Sequence, residues 1–484
     1  MEAVSIVSPS GDRAVNLPVK VFVEAIDSAD IPILLTTSET QPAPRYNWLV
    51  PVIGLVLLAL ISGLYVTNAT VYDRVLTAWM FIPAKDPFYD LASIPGWQRC
   101  WQNYGYAVYT NASWADCGLG PIIYSPLWLR LTFLPTDPAW TNWLGLPVVV
   151  AFLLCLGLLP LSFRPTDRIF VILATFSCPP VFAMERANVD LLIFLMAVGV
   201  AFCLKGSLAR RALGYALMLI GGLLKFYPLA LLVLVIRERL VVAVMAGLTA
   251  AAIVAGTAFG FLDELRRLTP VPSGAPFHFM WGARNIPTGL PTVIRAFLRA
   301  IGAHASILEL IIGSAWMPSI LAPILFAAAF LTAARLAGRD DFRASLNMLA
   351  DGTYRFLLVG SVLIVACFFA GQNINYRSIF LLLILPGSLS LTQVATSRLV
   401  RDVMILTTAS ILCVLWELTV RNTIAGLFGG SYLLLEDSIP IYAVWIVKEV
   451  AWWWLVTILI AILIRFAMDS PAWRDFQRGR SFFA

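Results

Sequence analysis

Apolar and polar positions alternate along this chain in long blocks rather than at the period of an amphipathic helix or a surface strand. Continuous apolar stretches occupy residues 48–67, 139–163, 169–184, 191–205, 212–223, 226–236, 240–260, 313–335, 356–370, 378–396, 403–420 and 442–464. A helix needs about 20 apolar residues to cross the hydrocarbon layer. The pattern therefore predicts an all-α polytopic membrane protein of about twelve transmembrane or partly spanning helices. A membrane β-barrel would show alternating segments of about ten residues instead.

Among the stretches too short to span as straight helices are 169–184, 212–223 and 226–236. The last two meet at "LKFYP", where Lys225 sits in the middle of apolar sequence. If 212–236 were one helix, "KGSLARR" before it and "RER" after it would face opposite sides of the membrane. Both are basic, and both prefer the cytoplasm. Two short helices that turn back at "LKFYP" satisfy that preference. Pro228 then falls in the first turn of the second helix, where a missing N–H is harmless.

The short basic loops place the N-terminus in the cytoplasm. "RPTDR", "KGSLARR", "RER", "RLAGRDDFR", "SRLVR" and "RDFQRGR" then share the cytoplasmic side. The long loop 68–138, "ERANVD", "LKFYP", the loop 261–312 and "GQNINYR" share the other. The expected organisation is a flexible cytoplasmic tail over 1–47, a membrane domain over 48–464 and a basic cytoplasmic tail over 465–484. Residues 74–84 and 121–134 look suited to lying at a membrane surface. No internal repeat is visible.

Composition sharpens this picture. Of 484 residues, 60% are hydrophobic and only 13% charged, against about 25% in a soluble domain. Mean hydropathy is +0.83. The net charge of +6 resides mainly in short loops between apolar stretches, so it argues for membrane orientation and not for nucleic acid. The polar first 47 residues lack the apolar core of a signal peptide. Cys100 and Cys117 share one hydrophilic loop and are placed to pair if that loop faces an oxidising compartment. With two histidines, His278 and His304, and no metal-type Cys/His spacing, no metal or other cofactor is expected.

The candidate chemistry gathers on the non-cytoplasmic side. An ionisable residue at membrane depth marks a site or a pathway by default, and Lys225 is the sharpest instance. Broken helices are tolerated where they line a cavity, and an ammonium there suits an anion such as a lipid phosphate. Arg377 in "GQNINYR" adds a fork that binds two phosphate oxygens. Arg186 and Asn188 in "ERANVD", and Arg284 in "FHFMWGARNIPTGL", are further candidates. The first loop supplies acids, Asp86 and Asp90, among many aromatics, including Tyr89. Solvated acids, an interfacial aromatic belt, a snorkelling lysine and helix-end arginines are the structural alternatives for each cluster taken alone.

The segments "DLASIPGWQRCWQNYGYAVY", "YSPLW", "ERANVDLLIF", "GGLLKFYPLALL" and "NINYRSIFLLLILP" together resemble the GT-C-fold integral membrane glycosyltransferases. The likeness is greatest to the polyprenyl-phosphate-mannose-dependent mannosyltransferases of glycosyltransferase family 87. It extends over roughly residues 48 to 396. Where that family often has an Asn-Pro or Asp-Pro pair after the loop tyrosine, this chain has "TNASWADCGLG".

The resemblance implies inverting transfer of a sugar, mannose first among the options, from a polyprenyl-phosphate donor. The acceptor would be a glycolipid, glycan or protein on the extracytoplasmic face of a bacterial plasma membrane. It implies Asp90, with Asp86 as second choice, as general base on the acceptor hydroxyl. Lys225, Arg377, Arg186 and Arg284 would steady the phosphate. Asn188 and Tyr227 would position the sugar or headgroup, and Tyr89 would support the base. The alternative expectation is a lipid flippase or anion transporter built on the broken helices and the intramembrane cation. A non-catalytic envelope scaffold would leave the polar clusters unconnected in space.

Overall fold

A computed structural model describes residues 4–6, 15–17 and 48–481, apart from 80–86, 269–279, 303–315, 428–438 and scattered loop positions within 111–118, 132–136 and 162–163. The chain divides into two units, Met1–Ala43 and Pro44–Ala484. In the first, Val4–Ile6 pairs antiparallel with Val15–Leu17, Val4 opposite Leu17.

The second unit is helical. Among the described residues seven helices are long and apolar enough to cross a membrane, from Leu49–Thr67 to Ile439–Asp469. The pair Pro165–Thr175 and Cys178–Glu185, bent by 49°, makes an eighth if it counts as one span. Thr141–Leu156, Val189–Cys203 and Tyr227–Arg237 are apolar but shorter. Among the described residues each apolar stretch is helical over most of its length. Several differ in extent or form: the helix of 139–163 ends at Leu156, and 169–184 is broken between Thr175 and Cys178. The last two run to 30 and 31 residues, Arg398–Leu427 and Ile439–Asp469, longer than their apolar cores. The segment 226–236 is a 3-10 helix.

The Asp351–Ala370 helix and the helical segment Asn375–Val394 are mostly buried, whereas Leu240–Gly260 is hardly buried at all. With Val189–Cys203, the buried helices form the centre of the bundle. A helix this apolar, with Ala250 its one buried residue, is stable against lipid rather than water.

The turn at "LKFYP" exists. The Leu208–Lys225 helix ends at Phe226, whose φ of 41° is left-handed, and Tyr227–Arg237 runs back. The two basic ends meet: Arg211 Nε donates to Glu238 Oε1 at 2.6 Å, and Tyr215 OH donates to the same oxygen at 2.7 Å. This closure accounts for the 3-10 form. From Arg211 to Lys225 an α-helix rises about 21 Å, and from Tyr227 to Glu238 a 3-10 helix rises about 22 Å but an α-helix only about 17 Å. The stretched winding makes the legs equal in length. Gly222 lets them touch, since a Cβ there would lie 2.9 Å from the backbone nitrogen of Leu229.

The first long loop folds over the tip of this hairpin. Trp128 of "YSPLW" donates its indole N–H to Leu224 O at 3.1 Å, and Gln98 Nε2 donates to Trp128 O at 2.7 Å. Trp97 Nε1 donates to Gly120 O at 2.8 Å. A disulfide joins Cys100 to Cys117 across the same loop. Of the two stretches expected at a membrane surface, 74–84 is helical as far as Trp79, with 80–84 outside the described residues, and 121–134 holds the single turn Leu127–Arg130.

Candidate active site

Three short breaks in the backbone bring the polar residues together. Phe88, Ala187 and Phe226 are the described non-glycine residues with positive φ, at 61°, 42° and 41°. Each directly precedes a candidate, Tyr89, Asn188 or Tyr227, and Phe226 also follows Lys225. Bulky residues avoid this conformation unless their surroundings enforce it, and such strain concentrates at functional sites.

Asp90 lies in the first turn of the Tyr89–Tyr104 helix. That turn docks on a neighbouring backbone: Phe88 N donates to Glu185 O at 2.7 Å and Leu91 N to Arg186 O at 3.3 Å. The docking carries Asp90 to Asn188, whose Nδ2 donates to Asp90 Oδ2 at 2.5 Å. Asn188 also caps the Val189–Cys203 helix, its Oδ1 accepting from Asp190 N at 2.9 Å. The same oxygen accepts from Lys225 Nζ at 3.1 Å. One asparagine side chain therefore separates Asp90 from Lys225.

The chain of contacts continues inward. Asp190 is fully buried, and its Oδ1 takes Lys225 Nζ at 2.7 Å and Tyr227 OH at 2.7 Å. Arg377 Nε lies 3.7 Å from Asp190 Oδ2, and Nη1 of Arg377 donates to Asn373 Oδ1. At the outer end Arg186 pairs with Glu185 at 2.9 Å and approaches Asp90 at 3.9 Å. Its guanidinium stands 5.6 Å over the Tyr89 ring. Three carboxylates, Asp90, Glu185 and Asp190, thus face three cations, Arg186, Lys225 and Arg377.

This balance changes the role of Lys225. The sequence suggests an open ammonium waiting for a phosphate. In the structure Lys225 is 4% exposed, held by Asp190 and Asn188 and covered by the rings of Tyr124 and Tyr376, at 4.9 and 5.7 Å. A buried ammonium needs a carboxylate, and Asp190 supplies it. The cations with exposed surface are Arg186 and Arg377, at 16% and 24%.

A cavity of about 350 Å³ opens on Asp90 and Arg186, walled by Trp97, Tyr124, Phe182 and Tyr376 among others. Its size lies within the roughly 300–1,000 Å³ range of small-molecule sites. Burial raises the pKa of Asp90 above the ordinary carboxylate value, while the Asn188 hydrogen bond and the Arg186 charge oppose the rise.

Arg284 is not brought in. It is exposed, and its backbone carbonyl accepts from Thr288 in the first turn of the Asn285–Ala300 helix. The buried residue is its neighbour. Asn285 Nδ2 donates to Met280 O at 3.0 Å and to Glu449 Oε1 at 2.5 Å, and Lys448 Nζ donates to Met280 O at 2.7 Å. These groups fasten the strand Met280–Trp281, which pairs with Asn373–Ile374 just before Arg377. Gly282 permits the crossing, because a Cβ there would lie 2.3 Å from Gly371 O. Asp86, His278 and His304 lie outside the described residues.

The structure joins Asp90, Asn188, Lys225, Tyr227, Arg186 and Arg377, all candidates by sequence, with Tyr89 beside them. Glu185, Asp190 and Asn373 complete the group and are not among the sequence candidates. The signal for the two acids is charge: a buried lysine and two arginines require carboxylates nearby, and "ERANVD" holds two. Comparisons with family models, curated proteins and solved structures found no match for the chain.

Proposed function

We propose that this protein is a membrane glycosyltransferase of GT-C type that moves a sugar, mannose first, from a polyprenyl-phosphate donor to an extracytoplasmic acceptor with inversion. The observation that carries the reading is the placement of the Asp90 carboxylate. It opens on an aromatic-walled cavity beside Arg186 and is wired through Asn188 to Lys225, Asp190 and Arg377.

In this reading the acceptor hydroxyl gives its proton to Asp90 as its oxygen attacks the anomeric carbon. The bond from that carbon to the phosphate oxygen breaks on the opposite face, through an oxocarbenium-like state. The leaving polyprenyl phosphate carries the bonding electron pair away as negative charge. Arg186 and Arg377 are the groups with surface to meet it. Lys225 acts from behind: it holds Asn188, whose amide N–H₂ then points at Asp90. Tyr227 fixes Asp190, and the Tyr89 ring carries Arg186. Aromatic walls suit the apolar C–H face of a sugar ring.

The extracytoplasmic assignment draws on the basic loops at the opposite end of the hairpin and on the Cys100–Cys117 disulfide, which fits an oxidising compartment. A flippase or anion transporter is the second reading, because a charge-balanced Asp190–Lys225–Arg377 group within the bundle also suits a carrier.

The deciding experiment is transfer of labelled sugar from a panel of polyprenyl-phosphate sugars, in membranes holding the wild type or Asp90→Asn. Transfer that is lost in a folded Asp90→Asn variant supports both the class and the base. No transfer from any donor, with native lipids present, overturns the reading in favour of transport.

A further inference from the structure

The Asp90 cavity is the last of three that adjoin. A groove of about 290 Å³, walled almost wholly by apolar side chains such as Leu57, Leu58, Ile61 and Leu146, opens beside the Leu49–Thr67 helix. A second cavity of about 680 Å³ is polar, with Arg99, Asn103, Tyr104 and Thr141 on its wall. Tyr65, Pro87 and Asn142 line both the groove and the polar cavity. Tyr89 and Leu119 line both the polar cavity and the Asp90 cavity. Apolar space, polar space and the candidate base thus follow one another, with shared walls at each junction.

We infer that this path is a glycolipid site: acyl chains lie in the Leu57–Ile61 groove, and the sugar head fills the polar cavity and presents a hydroxyl to Asp90 past Tyr89. That the glycolipid is the acceptor rests on the glycosyltransferase reading; that it binds does not. The order of the cavities separates this ligand from a polyprenyl-phosphate sugar. In such a donor one phosphate joins tail to sugar, so the tail should end beside Arg186 or Arg377. The groove instead ends at a large polar cavity that contains neither, and the guanidinium a donor phosphate would meet there, Arg99, lies on the wall of that cavity and not of the one that holds Asp90. A head of several polar groups is needed to fill the space between tail and carboxylate. Arg99 is the one charged residue among the described wall of that cavity, which disfavours a cationic head.

Gly96 lies on the same wall, and a Cβ there would come within 2.3 Å of Leu119 Cδ1. Leu119 lines both the polar cavity and that of Asp90, so a side chain at Gly96 would displace a residue the two cavities share.

The test needs no turnover. The full-length protein in phosphatidylcholine nanodiscs is irradiated with a monoglucosyl diacylglycerol that carries a diazirine at the end of one acyl chain. The expected label falls on peptides containing Leu57–Ile61 and Leu146–Leu153. Unlabelled glucosyl diacylglycerol should displace it, and diacylglycerol or polyprenyl phosphate should not. Ser62→Trp, which fills the groove from its lipid-facing rim, and the paired change Asn103→Leu with Asn142→Leu should each weaken labelling at least about tenfold.

Equal labelling by a diazirine phosphatidylcholine would identify ordinary surrounding lipid and overturn the inference. Displacement by polyprenyl phosphate would assign the groove to the donor tail and also overturn it. Specific glycolipid labelling in a chain that transfers no sugar would leave this site standing and remove the enzymatic reading. Sugar transfer to a soluble oligosaccharide that Ser62→Trp leaves unchanged, without specific labelling, would do the reverse.

Discussion

Lys225 Nζ lies 2.7 Å from Asp190 Oδ1, and the two side chains are 4% and 0% exposed. The pair closes the hairpin tip onto the start of the Val189–Cys203 helix, so its first effect is on architecture. Asp190 also faces Arg377 and accepts from Tyr227. Its removal therefore strands two cations, whereas removal of Lys225 leaves the carboxylate with two partners. We expect Asp190→Asn to destabilise by roughly 3–5 kcal/mol, the usual consequence of breaking a buried pair, and Lys225→Met by less. Thermal unfolding of both variants in detergent checks the order. Equal losses would mean that Arg377 does not compensate Asp190.

In the proposed glycosyl transfer, Asp90 should govern the acid side of the reaction. A general base works ionised, so transfer should fall as pH drops through the Asp90 pKa. Burial raises that pKa, which places the fall above the range of an ordinary aspartate. The Asn188 hydrogen bond favours the charged form and pulls the pKa down. Asn188→Ala should therefore move the acid limb of kcat/KM to still higher pH, while Asp90→Asn should lower kcat by about 10²–10⁴ at every pH. The pH–rate profiles of the three proteins decide this. An acid limb that stays in place in Asn188→Ala would detach Asp90 from the observed titration.

Much of this was legible beforehand because membrane sequences carry two strong periodic signals, apolar length and loop charge. Together they foretold the hairpin at Lys225, and Glu238 does meet Arg211. What was not legible has a physical cause in each case. The 3-10 winding of Tyr227–Arg237 follows from the need to match the other leg in length, a tertiary demand with no local signature. The carboxylate partner of Lys225 lies 35 positions earlier in sequence, and nothing local to "LKFYP" points to it. Arg284 looked promising by residue type, yet helix phase turns it to the surface and Asn285 inward. Cys100 and Cys117 were placed to pair, but only their approach in the folded loop shows that they do.

Ala187 offers a test of the backbone break that aims Asn188. Its φ of 42° suits glycine and resists a β-branched residue. Ala187→Gly should change stability by no more than about 1 kcal/mol and keep transfer. Ala187→Val should cost about 1–3 kcal/mol and lower kcat, because relaxing the strain turns Asn188 away from both Asp90 and Lys225. Unfolding curves paired with kcat for the two variants separate the effects. A Val variant that is destabilised but keeps full kcat would show that the break serves folding alone.

Asn285 and Arg284 make a sharper contrast, since they are neighbours with opposite surroundings. Asn285, Lys448 and Glu449 are each no more than 1% exposed and all bear on the strand Met280–Trp281. Trp281 is held further by stacking on Trp452, with centroids 4.1 Å apart. Through the pairing of Trp281 with Asn373 this assembly reaches Arg377, whose guanidinium donates to Asn373. Lys448→Met would leave Glu449 without its closest cation inside the bundle, and a loss of roughly 3–5 kcal/mol is expected. Asn285→Leu removes one donor to Glu449 and loosens the strand, so Arg377 should lose its fixed orientation. On the proposed glycosyltransferase reading, its signature is a raised KM for the polyprenyl-phosphate sugar with little change in KM for the acceptor. Arg284→Ala, on an exposed side chain, should alter stability by no more than about 0.5 kcal/mol and leave both constants alone. Steady-state kinetics with each substrate varied in turn reads the difference. An Asn285→Leu variant that raises both KM values together, or neither, would break the proposed link from the buried Glu449 cluster to Arg377.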